Sequence, residues 1–95
     1  MSVVVLTGCS SGIGLAAALT FARQRDRVYA TMRDPSRADR LSRAATEEDI
    51  DLTVAQLDVT DDGSVQGAMG RVLDVEGRID VLVNNAGVDL SLINI

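Results

Sequence analysis

The sequence has no histidine and one cysteine, Cys9. A lone cysteine excludes an internal disulfide, and without histidine or a second thiol a zinc site is not expected. Lysine is also missing, so all nine basic residues are arginines. Positive charge is outnumbered by 14 acidic residues, giving a net charge of -5 and a pI near 4.4. That balance repels phosphate backbones and anionic lipid headgroups, which argues against nucleic-acid or membrane partners. No apolar run approaches the roughly 20 residues of a membrane span. The opening "MSVVVLTG" has no basic region ahead of its apolar core, unlike a secretory signal. These absences predict a cytoplasmic protein.

What is present suits a small folded domain. At 95 residues the chain holds one domain at most, and a domain of this size buries only about 60–65% of its unfolded surface, which predicts modest stability. Hydrophobic residues at 46% against 24% charged place it among globular chains rather than disordered ones.

Strand and helix patterns alternate along the chain. The β-branched "SVVVL", residues 2–6, fits a strand buried on both faces. Leu15, Ala18, Leu19 and Ala22 share one face of a helix predicted over 13–24. "RVYAT", 27–31, reads as a second strand. Asp34 and Pro35 fit an N-cap and first helical position, predicting one helix from there through about Thr46. "DLTVAQLDV", 51–59, is a third strand. Thr60 or Asp61 caps a helix whose apolar face is Val65, Ala68, Met69, Val72 and Leu73, ending at Gly77. Gly67 and Gly70 each cost that helix about 1 kcal/mol relative to alanine. "RIDVLV", 78–83, is a fourth strand, ended by "NNAG". Short joints between alternating elements predict parallel strands with right-handed crossovers, a doubly wound α/β sheet.

The stretch "TGCSSGIG", Thr7–Gly14, joins the first strand to the first helix. A turn through glycines into a helix directs backbone N–H groups and the positive helix end into one space, which suits a phosphate or diphosphate. Gly8 lets the chain turn, Gly12 admits the ligand to the backbone, and Gly14 lets the helix pack closely on the sheet. Ser10 and Ser11 add hydroxyl donors. A glycine-rich turn with no ligand is the other reading, and the strand before with the helix after favours the phosphate site. The motif is neither G-x-G-x-x-G nor a P-loop, which needs a lysine after its last glycine.

Its spacing, T-G-x-x-x-G-x-G, resembles that of the short-chain dehydrogenase/reductase family. "LDVTD" at Leu57–Asp61 and "NNAG" at Asn84–Gly87 agree, in the family's order and at the ends of strands three and four. "LTGCSSGIGL" and "VYATMRD" are similar to the hydroxysteroid and retinol dehydrogenase branch. The resemblance covers nearly the whole chain. It implies a Rossmann-like doubly wound parallel sheet in order 3-2-1-4, truncated after the fourth strand, with residues 1–95 forming part of an NAD(P)-binding domain. It also implies cofactor contacts from Gly8, Ser10, Ser11, Gly12, Ile13 and Gly14. Asp58 would accept from the adenine amino group beside the Val59 backbone, with a helix-capping carboxylate as the alternative role. Asn85, Ala86 and Gly87 would line the ribose and nicotinamide side, Asn85 also tying strands together; a plain strand-ending turn is the other reading of "NNAG".

The choice of dinucleotide turns on the end of strand two. A carboxylate there would bind the ribose 2'-hydroxyl of NAD and repel the extra phosphate of NADP, but Met32 takes that position and Arg33 follows. A guanidinium holds phosphate through paired charged hydrogen bonds, so NADP is favoured over NAD. Asp34 complicates this, because a shift of one residue would bring a carboxylate to the ribose, and Arg33 also reads as plain surface charge. Arg37, Arg40 and Arg43 read as surface charge balanced by Glu47, Glu48 and Asp49. Cys9 at a helix start raises the question of a reactive thiol, but no histidine is available as its base.

In the family, a tyrosine, a lysine four residues on and a serine protonate the forming alkoxide, all downstream of "NNAG". The only tyrosine here, Tyr29, has Arg33 four residues on, but four strand residues span about 13 Å against about 6 Å along a helix. Arginine does not replace the lysine, so no catalytic residue is assigned and the 95-residue chain is expected to be inactive alone. Asn94 follows Gly87 too closely to be the family's helix asparagine. The expected function is the NADP-binding segment of an oxidoreductase that moves hydride between NADP(H) and a small-molecule carbonyl or secondary alcohol. A non-catalytic nucleotide-binding module or a self-associating fragment is the alternative, the latter through an exposed apolar edge at strand four.

Overall fold

A computed structural model describes residues 1–85 and the backbone of 89–92. The elements run β1 (Val3–Leu6), α1 (Gly12–Arg23), β2 (Arg27–Met32), a 3-10 turn (Pro35–Arg37), α2 (Asp39–Glu47), β3 (Thr53–Gln56), α3 (Asp62–Glu76), β4 (Val81–Asn84) and β5 (Asp89–Leu92). The sheet order is β3-β2-β1-β4-β5. The first four strands are parallel in the expected order 3-2-1-4.

β1 explains why the sheet is wound on both sides. All four of its residues are buried, and side chains alternate between faces along a strand. Val4 and Leu6 belong to a core with Ala18, Leu19, Leu41 and Met32, which seats α1 and α2 on one face. Val3 and Val5 pack with Val72 and Ile79, which seats α3 on the other. β4 repeats the division, Val81 and Val83 joining the first core and Leu82 the second.

α3 begins and ends where its sequence signals lie. The Asp61 carboxylate accepts from the N–H groups of Gly63 and Ser64, and Gly77 closes the helix in the left-handed conformation at φ 78°, with its N–H donating to Leu73 O at 2.8 Å.

The second helix departs from expectation. Asp34 does cap, accepting from Ser36 N at 3.0 Å, but the chain after Pro35 makes i to i+3 bonds from Arg37 N and Ala38 N. The predicted single helix is therefore a 3-10 turn followed by α2. α2 sets Leu41 and Ala45, one turn apart, into the core.

The other difference is β5. It pairs antiparallel with β4, matching Val81 with Leu92 and Asn84 with Asp89. β4 is bonded on both sides, to β1 and to β5, so the expected exposed edge at strand four, and the self-association argued from it, lose their basis. An antiparallel partner needs only a short connection, here residues 85–88, where a parallel one needs a crossover.

The amino ends of the strands are tied by charge. The Asp80 carboxylate accepts from Val3 N at 2.8 Å and from Arg78 Nε at 2.9 Å. Glu76 takes the Tyr29 hydroxyl at 2.5 Å and Arg27 Nε at 3.1 Å. Among the described residues, no helix is long and apolar enough to cross a membrane.

Candidate functional site

The opposite, carboxyl ends of the parallel strands carry the candidate site, as expected for an open parallel sheet. The loop after β1 is anchored to its neighbours by backbone bonds, Thr7 N to Val83 O at 3.0 Å and Cys9 N to Thr31 O at 3.1 Å. Beyond these anchors the chain turns through Gly8 at φ 66° and Gly12 at φ 61°, left-handed values that favour glycine. A Cβ at Gly12 would meet nothing within 4 Å, so the backbone there faces open space. Ser11 precedes α1 in extended conformation and its side chain makes no capping bond. The positive end of α1 is thus not closed by its own cap.

Gly14 has a different reason from the one its position suggests. A Cβ there would lie 2.1 Å from the Gly8 carbonyl oxygen and 3.0 Å from Asn85 Nδ2. The missing side chain makes room for the loop's own backbone, not for the sheet.

Asn85 is the tie between this loop and β4. Its backbone N–H donates to Thr7 Oγ1 at 3.0 Å and its Nδ2 to Gly8 O at 3.2 Å. Thr7 Oγ1 in turn donates to Asn84 Oδ1 at 3.3 Å. Thr7 is 4% exposed, and a buried hydroxyl that both donates and accepts holds the loop in one geometry. The quoted motif contained Thr7, but its part in this chain depends on β4 lying next to β1 and was not legible from spacing. Ala86 and Gly87 lie outside the described residues.

Cys9 faces away from the site. It is fully buried, with Sγ 3.5 Å from Leu6 O, and burial pushes its thiol pKa up to about 11. Depth in the core overrides any effect of the nearby helix end, so Cys9 is a packing residue rather than a reactive thiol.

At the end of β2, Ser10, Met32, Arg33, Asp34 and Arg37 line an open groove of about 420 Å³. Met32 is 2% exposed and packed in the core, while Arg33 is exposed. Asp34 turns to its own chain: Oδ1 accepts from Ser36 N and from Ser36 Oγ at 2.7 Å. Those bonds hold its carboxyl below the usual carboxylate range, with a smaller contribution from Arg37, whose Nε lies 4.0 Å from Asp34 Oδ2. Arg37, read from sequence as surface charge, therefore shares the groove with Ser10 and Arg33. Glu48, expected to balance α2 arginines, instead pairs with Arg23 at 2.6 Å.

At the end of β3, the Asp58 carboxylate accepts from Thr60 N at 3.0 Å and Thr60 Oγ1 at 2.6 Å. These bonds, and secondarily the charge of Arg33, hold its pKa low. The helix cap is Asp61, so the capping role considered for Asp58 belongs to its neighbour. Val59 is 41% exposed and Ile13 74% exposed, two large apolar side chains left in water at the rim of this region.

The short chain dehydrogenase family model matches residues 2–94. The chain is 50% identical over 91 residues to bovine (Bos taurus) retinol dehydrogenase 8, a match covering 92% of this chain and 28% of that protein. It is 48% identical over 95 residues to human (Homo sapiens) 17-beta-hydroxysteroid dehydrogenase type 1, covering 94% of this chain and 28% of that one. A crystal structure of a metagenomic short-chain oxidoreductase in complex with NADP superposes with a TM-score of 0.78 at 30% identity, over 85% of this chain and 37% of that one. The chain therefore spans about 28% of the length of these curated relatives. With a parallel 3-2-1-4 core, a glycine loop on its first crossover and a family match along nearly its whole length, this chain belongs to the short-chain dehydrogenase family and has its NAD(P)-binding Rossmann fold.

Proposed function

We propose that residues 1–95 are part of the dinucleotide-binding domain of a cytoplasmic oxidoreductase that uses NADP(H) and acts on a carbonyl or secondary alcohol. The carrying observation is the groove at the end of β2, where Ser10 and Arg33 stand beside the glycine loop and the strand ends in a buried methionine. A carboxylate at that position would favour the unphosphorylated ribose; an exposed guanidinium offers paired charged donors to a 2'-phosphate. The open space over Gly12 and the uncapped start of α1 fit a diphosphate. In this reading Gly8, Ser10, Ser11, Gly12, Ile13 and Gly14 hold the diphosphate side. Asp58 and Val59 take the adenine, and Asn85, Ala86 and Gly87 take the nicotinamide half. Bound there, the dinucleotide supplies the hydride.

The protein's own residues bind and orient. Tyr29 does not donate a proton to substrate: its hydroxyl is bonded to Glu76 at the far end of α3. Burial first, and then Glu76, raise its pKa, the opposite of what an acid near neutral pH needs. The names of the two curated relatives support a retinoid-like or steroid-like alcohol as substrate of the whole enzyme.

Titration calorimetry with NADPH and NADH tests the reading. NADPH is expected to bind at least about tenfold more tightly, a difference of one charged contact, and Arg33→Ala is expected to remove the preference. Equal affinities for the two dinucleotides in the unmodified chain would contradict NADP use.

A further inference from the structure

The groove at the end of β2 holds a carboxylate as well as two guanidinium groups, and that creates a difficulty for a phosphate ligand. Asp34 stays ionised, because its Oδ1 is fixed by Ser36 N and Ser36 Oγ. Arg33 and Asp34 alone would leave the groove with no net charge and a carboxylate facing the dianion. Arg37 resolves this. Its Nε lies 4.0 Å from Asp34 Oδ2, and its side chain lines the same groove. The three side chains then sum to one positive charge. Arg37 lies ahead of α2, outside the run whose Leu41 and Ala45 face the core.

We propose that Arg37 is a specificity-determining residue for the dinucleotide: it offsets Asp34 and supplies a second cation, so that the groove accepts a 2'-phosphate despite the adjacent carboxylate. This rests on the reading of Arg33 as the primary phosphate ligand. It also assigns Asp34 a role, as the group that would disfavour NADPH if left uncovered. The effect is electrostatic and solvent-exposed, with the Arg37 side chain 76% exposed, so it weakens as salt rises.

The test measures dissociation constants of NADPH and NADH by calorimetry at low ionic strength, for the unmodified chain and for Arg33→Ala, Arg37→Gln, Asp34→Asn and Asp34→Asn with Arg37→Gln. Asn keeps an oxygen acceptor for Ser36 and removes only the charge. Arg37→Gln is expected to weaken NADPH about tenfold while leaving NADH within about twofold. Adding Asp34→Asn to Arg37→Gln is expected to recover most of that loss. If Arg37→Gln changes neither dinucleotide, or weakens both alike, the role of Arg37 is overturned even where Arg33→Ala still abolishes the preference. If Arg33→Ala leaves the preference intact, or the unmodified chain binds neither dinucleotide, the underlying reading fails and takes this inference with it.

Discussion

Gly14 sits so close to the Gly8 carbonyl that a Cβ on it would lie 2.1 Å from that oxygen. The atom in the way is backbone, itself held by Asn85 Nδ2 at 3.2 Å, so it has little freedom to retreat. The loop and the first turn of α1 are therefore one rigid object, fixed by the absence of a methyl group.

Alanine at position 14 is accordingly expected to cost about 3 kcal/mol or more, because overpacking against fixed backbone is not relieved by a rotamer change. Gly70 provides the contrast. It lies inside α3 with nothing within 4 Å of its built Cβ, so Gly70→Ala is expected to stabilise by about 0.5–1 kcal/mol through helix propensity. Urea denaturation of the two variants reads both signs; a tolerated Gly14→Ala would refute the packing described.

Cys9 is expected to be inert in the folded chain. With its thiol pKa near 11 and its side chain fully buried, the thiolate fraction at pH 8 is negligible. An aromatic disulfide reagent should react only as fast as the protein unfolds, and fully in denaturant. Rapid reaction under native conditions would place this residue on the surface instead. Cys9→Ala is expected to cost about 1–2 kcal/mol, the lower part of the range for a small buried side chain.

The charged ties at the amino ends of the strands give stability a pH window. Glu76 is held below its ordinary pKa chiefly by the Tyr29 hydroxyl, and Asp80 chiefly by the Val3 amide. Both values are depressed on folding, so their contribution is complete above the unfolded values of about 4 and is lost as pH falls through the folded ones. Tyr29 is shifted upward, so its contribution is complete below about pH 10 and is lost as pH rises through its folded value. Urea midpoints across pH should fall on both sides, and Glu76→Gln with Asp80→Asn should flatten the acid side. An acid limb unchanged in that double variant would show that other carboxylates govern it.

Much of this fold was legible because its signals are local. "VVVL" is apolar at every position, and burial on both faces is what such a run demands. Asp61 and Gly77 mark the ends of α3 by their own chemistry. The glycine loop's conformation was readable for the same reason, since two of its glycines stand at positive φ. What escaped depends on distant partners. Asp34 and Pro35 announce the start of a helical turn, but whether it continues as one helix is decided by where Leu41 must meet the core. The strand Asp89–Leu92 carries an alternating Leu90 and Leu92, a signal too short to separate from a loop until β4 is there to pair with it. Arg37 reads as a surface arginine in sequence, and that it shares a groove with Ser10 and Arg33 depends on how β1 and β2 lie side by side.

The central claim is that the loop from Gly8 to Gly14 seats the diphosphate while Arg33 meets the third phosphate. Nitrogen-15 correlation spectra of the chain titrated with NADPH observe this residue by residue. The largest shifts are expected at the amides of residues 10–14, with the Arg33 Nε resonance moving for NADPH and not for NADH. Shifts confined to other surfaces, such as the amino ends of the strands around Arg27 and Thr53, with residues 10–14 unmoved, would contradict it.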